Sequence, residues 1–89
     1  MAWTVEVSPF AERQIEKLDH QVRKRILDYL DDRIEGCKNP RHFGEALKGG
    51  RAGLWRYRVG DYRIICEIGD DILVVLALAV GHRREIYRR

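Results

Sequence analysis

The sequence predicts a small α+β domain in which an antiparallel sheet packs on a helical hairpin, in the order β-α-α-β-β-β with a short C-terminal helix. Three observations carry this reading. Residues 3–7 alternate apolar and polar side chains, residues 8–36 hold two helix starts and one helix stop, and residues 54–80 hold three strand-like runs split by two Gly-Asp turns. Eighty-nine residues make one domain, 1–89. A chain of this size buries only about 60 to 65% of its unfolded surface, so nearly every apolar run must face a single core.

Trp3, Val5 and Val7 alternate with Thr4 and Glu6, the period of a half-buried strand. Ser8-Pro9 then supplies an N-cap and a proline at the first helical position, and Ala11, Ile15 and Leu18 mark one face of a short helix ending near Leu18. Asp19 caps a second helix with the apolar stripe Val22, Ile26, Tyr29, Leu30 and Ile34. Gly36 stops it and Pro40 lies beyond. From Cys37 to Gly53 the chain has loop composition, with Asn39-Pro40, Gly44, Gly49-Gly50 and one apolar anchor at Ala46-Leu47. Leu54 to Val59, Tyr62 to Ile68 and Ile72 to Val80 read as strands joined by Gly60-Asp61 and by Gly69-Asp70-Asp71. The last strand is apolar on both faces, as a strand interior to a sheet must be, and Arg83 to Arg89 has room for one or two helical turns.

Composition narrows the function classes. The start of the chain lacks a basic segment followed by an apolar one, and no uncharged apolar stretch approaches the ~20 residues of a membrane span. The expectation is a soluble cytoplasmic protein with no membrane role. Cys37 and Cys66 are the two cysteines, with no CxxC pair and no histidine at ligand spacing, so neither a disulfide framework nor a zinc site is expected and no cofactor is implied. The formal charge is +3 and unevenly spread: residues 1–40 hold 7 basic and 8 acidic side chains, residues 41–89 hold 10 and 6. The excess is arginine, whose planar fork suits phosphate, which makes a polyanion the first partner to consider. A solvated charged surface explains a modest excess equally well, so position has to decide.

If Gly60-Asp61 is a two-residue hairpin loop, Arg58 lies opposite Arg63 and Tyr57 opposite Ile64, with Arg56 two residues away on the arginine face. Trp55, Tyr57 and Val59 point the other way, toward the helices, and leave the arginines for solvent or a ligand. Like charges opposed across a hairpin destabilise it by up to about 1 kcal/mol, a cost explained if an anion sits between them. The alternative is that Glu67 or another acid neutralises the pair. The tail Gly81-His82-Arg83-Arg84-Glu85-Ile86-Tyr87 can return titratable groups to this face. Arg83 and Tyr87 are four residues apart, on one side of a helical turn, where guanidiniums would lower the tyrosine pKa. Tyr87 serves equally well as a hydrophobic staple. His82, with a reference pKa near neutrality, is a secondary candidate.

The segments Gly53-Leu54-Trp55-Arg56-Tyr57-Arg58-Val59-Gly60-Asp61-Tyr62-Arg63 and Val80-Gly81-His82-Arg83-Arg84-Glu85-Ile86-Tyr87, with the Leu47-Lys48-Gly49 anchor, resemble the RelE family of bacterial and archaeal toxins over essentially the whole chain. The resemblance implies a toxin paired with a RelB-like antitoxin, which cleaves messenger RNA in the ribosomal A site without a metal, the ribose 2′-hydroxyl attacking the adjacent phosphate. It places the family's two strand lysines on Arg56 and Arg58, its hairpin arginine on Arg63, its tail arginine on Arg83 and its terminal tyrosine on Tyr87. Arg58, Arg63, Arg83 and Tyr87 are thereby the catalytic candidates, with Arg56, Lys48 and His82 as substrate-binding candidates. Arginine keeps the charge of the lysines but hardly releases a proton, its pKa being above ~12. The implied roles are therefore phosphate binding for Arg56, Arg58 and Arg63, 2′-hydroxyl deprotonation assisted by Tyr87, and service to the leaving 5′-oxygen by Arg83 or His82. Two other readings compete: a ParE-like poison of DNA gyrase on the same fold, and a non-catalytic module that binds RNA or an antitoxin.

Overall fold

Ser8 ends the first strand and starts the first helix. Its Oγ accepts the Ala11 amide at 3.1 Å, and Pro9 occupies the first helical turn. The computed structural model describes residues 2–47 and 53–85. It places β1 at Thr4–Val7, α1 at Pro9–Glu16 and α2 at His20–Tyr29. Asp19 caps α2 as expected, accepting the Gln21 amide at 3.1 Å. The helix does not stop at Tyr29: Leu30–Ile34 continues it as a π-helical turn, closed by the Glu35 amide on the Leu30 carbonyl, and Gly36 turns the chain at φ +78°. A Pro40–His42 3₁₀ turn and a two-residue strand, β2 (Glu45–Ala46), follow. Then come β3 (Leu54–Val59), β4 (Tyr62–Gly69) and β5 (Val74–His82).

The strand order is β1-β5-β4-β3-β2, so β5 is interior, as its two apolar faces require. The α+β class and the order of the main elements stand, with three differences in detail. β1 pairs with β5 in parallel, Thr4 beside Val74 through Val7 beside Ala77, which makes the sheet mixed. The loop contributes the short β2, pairing Glu45 with Arg56 and Ala46 with Trp55. The β4–β5 turn extends to Leu73, which sits at φ +55° and leaves Ile72 71% exposed, so β5 starts two residues later than the apolar run. The expected C-terminal helix falls mostly outside the described residues.

One core lies between the helices and the sheet: Ala11, Ile15, Ile26, Leu30 and Ile34 pack against Tyr57, Ile64, Cys66, Val75, Ala77 and Val80. Because Tyr57 and Ile64 face the helices, alternation turns Arg58, Arg63 and Ile65 to the opposite face. Two aromatic polar groups behind β3 are answered locally. The Tyr57 hydroxyl donates to the Pro40 carbonyl at 2.8 Å and the Trp55 indole to the Phe43 carbonyl at 2.7 Å, which holds the 40–43 loop against β3. Gly44 then passes so close that a Cβ would meet the Arg56 carbonyl, and its φ of +73° also favours glycine. A bulge near Ile65/Cys66 shifts the β4–β5 register, and α1 caps it. Ser8 Oγ donates to the Leu78 carbonyl at 3.3 Å, and Gln14 Oε1 accepts the Val80 amide at 2.7 Å. This shift sets Gly81 beside Arg63 and His82 beside Tyr62.

Candidate nucleic-acid interface

The β3–β4 hairpin has the expected two-residue turn. Val59 pairs with Tyr62 and Arg58 with Arg63, with Gly60 at φ +60° in the turn. The two opposed arginines differ in environment. Arg58 is exposed. Arg63 is only 8% exposed, and its Nη1 donates to the Gly60 carbonyl at 3.2 Å and the Tyr62 carbonyl at 3.1 Å. The expectation that both charges stand in solvent is thus corrected for Arg63, whose guanidinium is folded back to satisfy turn carbonyls and is held in one place. Such a donor is preorganised for an anion, whereas Arg58 supplies a solvent-exposed charge beside it.

Arg56 is neutralised, though not by Glu67. The short β2 sets Glu45 opposite Arg56, and Arg56 Nη2 donates to Glu45 Oε2 at 2.7 Å. Glu67 pairs instead with Leu54. The tail joins the hairpin through its backbone: the Arg83 amide donates to the Asp61 carbonyl at 2.8 Å, which fixes the exposed Arg83 beside the turn. His82 goes elsewhere. Its ring meets Tyr62 edge-on at 5.4 Å, its Nδ1 accepts the Arg84 amide at 3.2 Å, and with Tyr62, Phe10 and Gln14 it lines a groove on the α1 side of the sheet. The structure therefore gathers Arg58, Arg63 and Arg83 at one turn, engages Arg56 at its edge, and sets His82 on the other face. Lys48 and Tyr87 lie outside the described residues.

Among the described residues, no three His, Cys, Asp or Glu side chains are grouped to hold a metal ion, and no helix is long and apolar enough to cross a membrane. What the arginine cluster can do chemically is bind phosphate oxygens and stabilise charge developing on them; proton transfer needs other groups. Sequence reasoning passed over a second group of cations, Arg25 on α2 and Arg33 on the π-helical turn that continues it, which border a cleft between that helix and β3. Their spacing was the available signal, since Arg25, Tyr29 and Arg33 recur every four residues along one helical face.

A five-stranded sheet backed by a helical hairpin is a fold shared with solved RelE toxins of bacteria and archaea. The chain belongs to the RelE/ParE toxin superfamily: the family described as the ParE toxin of the type II toxin-antitoxin system parDE matches residues 5–87. It is 30% identical to toxin RelG of Mycobacterium tuberculosis over 89 residues, 100% of both chains. It is also similar to the toxin–antitoxin complex RelBE2 of M. tuberculosis, with a TM-score of 0.82, 27% identity and coverage of 93% of this chain and 100% of that one. The fold recurs in a free E. coli RelE variant at a TM-score of 0.76 and 22% identity, covering 97% of this chain and 88% of that one.

Proposed function

We propose that the chain is a ribosome-dependent messenger-RNA endonuclease, held inactive by a RelB-like antitoxin, that cleaves by attack of the ribose 2′-hydroxyl on the adjacent phosphate. The observation that carries this reading is the convergence of Arg58, Arg63 and Arg83 on the Gly60-Asp61 turn, with Arg63 fixed by two carbonyls. In this scheme Arg63 and Arg58 hold the scissile phosphate and stabilise its developing charge, Arg83 attends the leaving 5′-oxygen, and Tyr87 assists deprotonation of the 2′-hydroxyl. Arg56, engaged with Glu45, and Lys48 contribute to substrate binding rather than to the reacting phosphate. Arginines are poor proton carriers, so the site gains most from a substrate already aligned for in-line attack, which a ribosome-bound message provides. Relatives crystallised with their antitoxins support the partner: the RelBE2 relative above is a toxin–antitoxin complex.

The match to a ParE toxin family favours a second reading, poisoning of DNA gyrase. The same purified toxin separates the two. Cleavage mapping on programmed ribosomes should give cuts that Arg58→Ala weakens, while gyrase supercoiling proceeds unimpaired. Inhibited supercoiling with uncut message would instead establish the gyrase reading.

A further inference from the structure

We infer that the cleft between α2 and β3, which runs up to the hairpin turn at Gly60, extends the hairpin site with a further seat for the phosphodiester backbone of RNA. It rests on the proposed RNA reading only for the class of polymer. The cleft has a volume of about 530 Å³ and is bordered by Arg25 and Tyr29 of α2, by Arg33 of the π-helical turn that continues it, and by Glu45, Arg56 and Arg58 of the sheet edge. Four arginines thus border the cleft with one glutamate, and that carboxylate already binds Arg56 at 2.7 Å. Among the described residues, Arg25, Arg33 and Arg58 have no carboxylate partner.

The cations are placed rather than scattered. Arg25 lies over the hairpin, its guanidinium 3.2 Å from where a Cβ on Gly60 would stand, so the glycine turn lets it sit close. Arg33 lies 5.8 Å over the Tyr29 ring, and Tyr29 in turn packs on the fully buried Tyr57 at 5.8 Å. A solvated charged helix would intersperse acids, and the outer face of the same helix does so: Lys24 pairs with Asp28 at 2.7 Å. The contrast between the two faces of α2 marks the inner one as an anion site. Arg25 and Arg33, eight residues apart, span about 12 Å of helix, which suits successive phosphates of a strand rather than one small anion. Arg58 borders both sites, so one RNA strand can run from the cleft to the hairpin.

The test is fluorescence anisotropy of a labelled 12-nucleotide single-stranded RNA, and of purified small ribosomal subunits, titrated against salt with the full chain. Each phosphate contact to a single strand contributes about 0.7 to the slope of log affinity against log salt, so Arg25→Gln with Arg33→Gln should lower it by about 1.4. Arg25→Lys with Arg33→Lys should retain most of the slope, and Lys24→Gln on the outer face should leave it unchanged, which separates local charge from misfolding. A drop with the oligonucleotide assigns the cleft to the message, and a drop with the subunit alone assigns it to ribosomal RNA. A slope unchanged with both overturns the inference. If the wild type binds RNA through these arginines yet cuts no message, the nuclease reading fails and the cleft remains an RNA site.

Discussion

Replacing Arg63 by alanine separates what this side chain does for the fold from what it does for a substrate. The guanidinium is 8% exposed and one nitrogen, Nη1, serves two turn carbonyls at 3.1 and 3.2 Å, so the interaction is counted once. A hydrogen bond from a charged donor is worth roughly 1.5 to 3 kcal/mol, against which removal of the like charge opposite Arg58 returns roughly 0.2 to 1 kcal/mol. Arg63→Ala should therefore destabilise the protein by about 1 to 2 kcal/mol, lowering Tm by about 5 to 15 °C for a domain of this size. Arg58→Ala loses no such bond and should melt with the wild type or slightly above it. In ribosome-dependent cleavage both variants should fall on the order of 100-fold, as removal of a donor to a reacting phosphate does. The assays belong together: calorimetry or CD melting on each preparation, and cleavage measured well below the lower Tm. An Arg63→Ala protein that melts with the wild type would show that the turn carbonyls do not need the guanidinium. One that cleaves at the wild-type rate would remove Arg63 from the site.

Three further outcomes follow from the packing. Tyr57→Phe deletes the buried hydroxyl that donates to Pro40 and leaves that carbonyl unanswered, so urea unfolding should show a loss of about 1 to 2 kcal/mol. Gly44→Ala forces a Cβ onto the Arg56 carbonyl at a positive φ; it should cost about 3 kcal/mol or more and release the Glu45–Arg56 pair, measurable as a lower urea midpoint. Burial pushes the Cys66 thiol from 9.0 up to about 12. A raised pKa stabilises the fold below the unfolded value and loses that contribution as pH rises, here between about 9 and 12, by up to about 1.4 kcal/mol per pH unit. The stability of the wild type should accordingly fall more steeply from pH 8 to 10 than that of Cys66→Ala; parallel slopes would show that the thiol titrates normally.

Local chemistry was legible in the sequence wherever neighbours in the chain decide the structure. Ser8-Pro9, Asp19 and Gly60-Asp61 act within a few residues, so the two caps and the Arg58–Arg63 register could be read directly. The parallel pairing of Thr4 with Val74 joins residues 70 apart, and no local pattern distinguishes it from an antiparallel one. The bulge near Cys66 was hidden for a different reason: β5 is apolar on both faces, so a one-residue shift leaves its pattern unchanged even though it decides which face His82 takes. The burial of Arg63 was equally invisible, because period-2 alternation assigns a face and says nothing of how a long side chain folds back on the turn behind it. Glu45 escaped as the partner of Arg56 because a two-residue strand inside a glycine-rich loop leaves no period to read.

The central claim is that the arginines of the hairpin act on RNA through the 2′-hydroxyl. It is tested most directly by the ends of the cut message. Purified toxin added to programmed ribosomes should leave a 2′,3′-cyclic or 3′-phosphate on one fragment and a 5′-hydroxyl on the other, with the yield collapsing in Arg58→Ala while that variant stays folded. Fragments bearing a 5′-phosphate and a 3′-hydroxyl, or a message left intact by the folded wild-type protein, would contradict it.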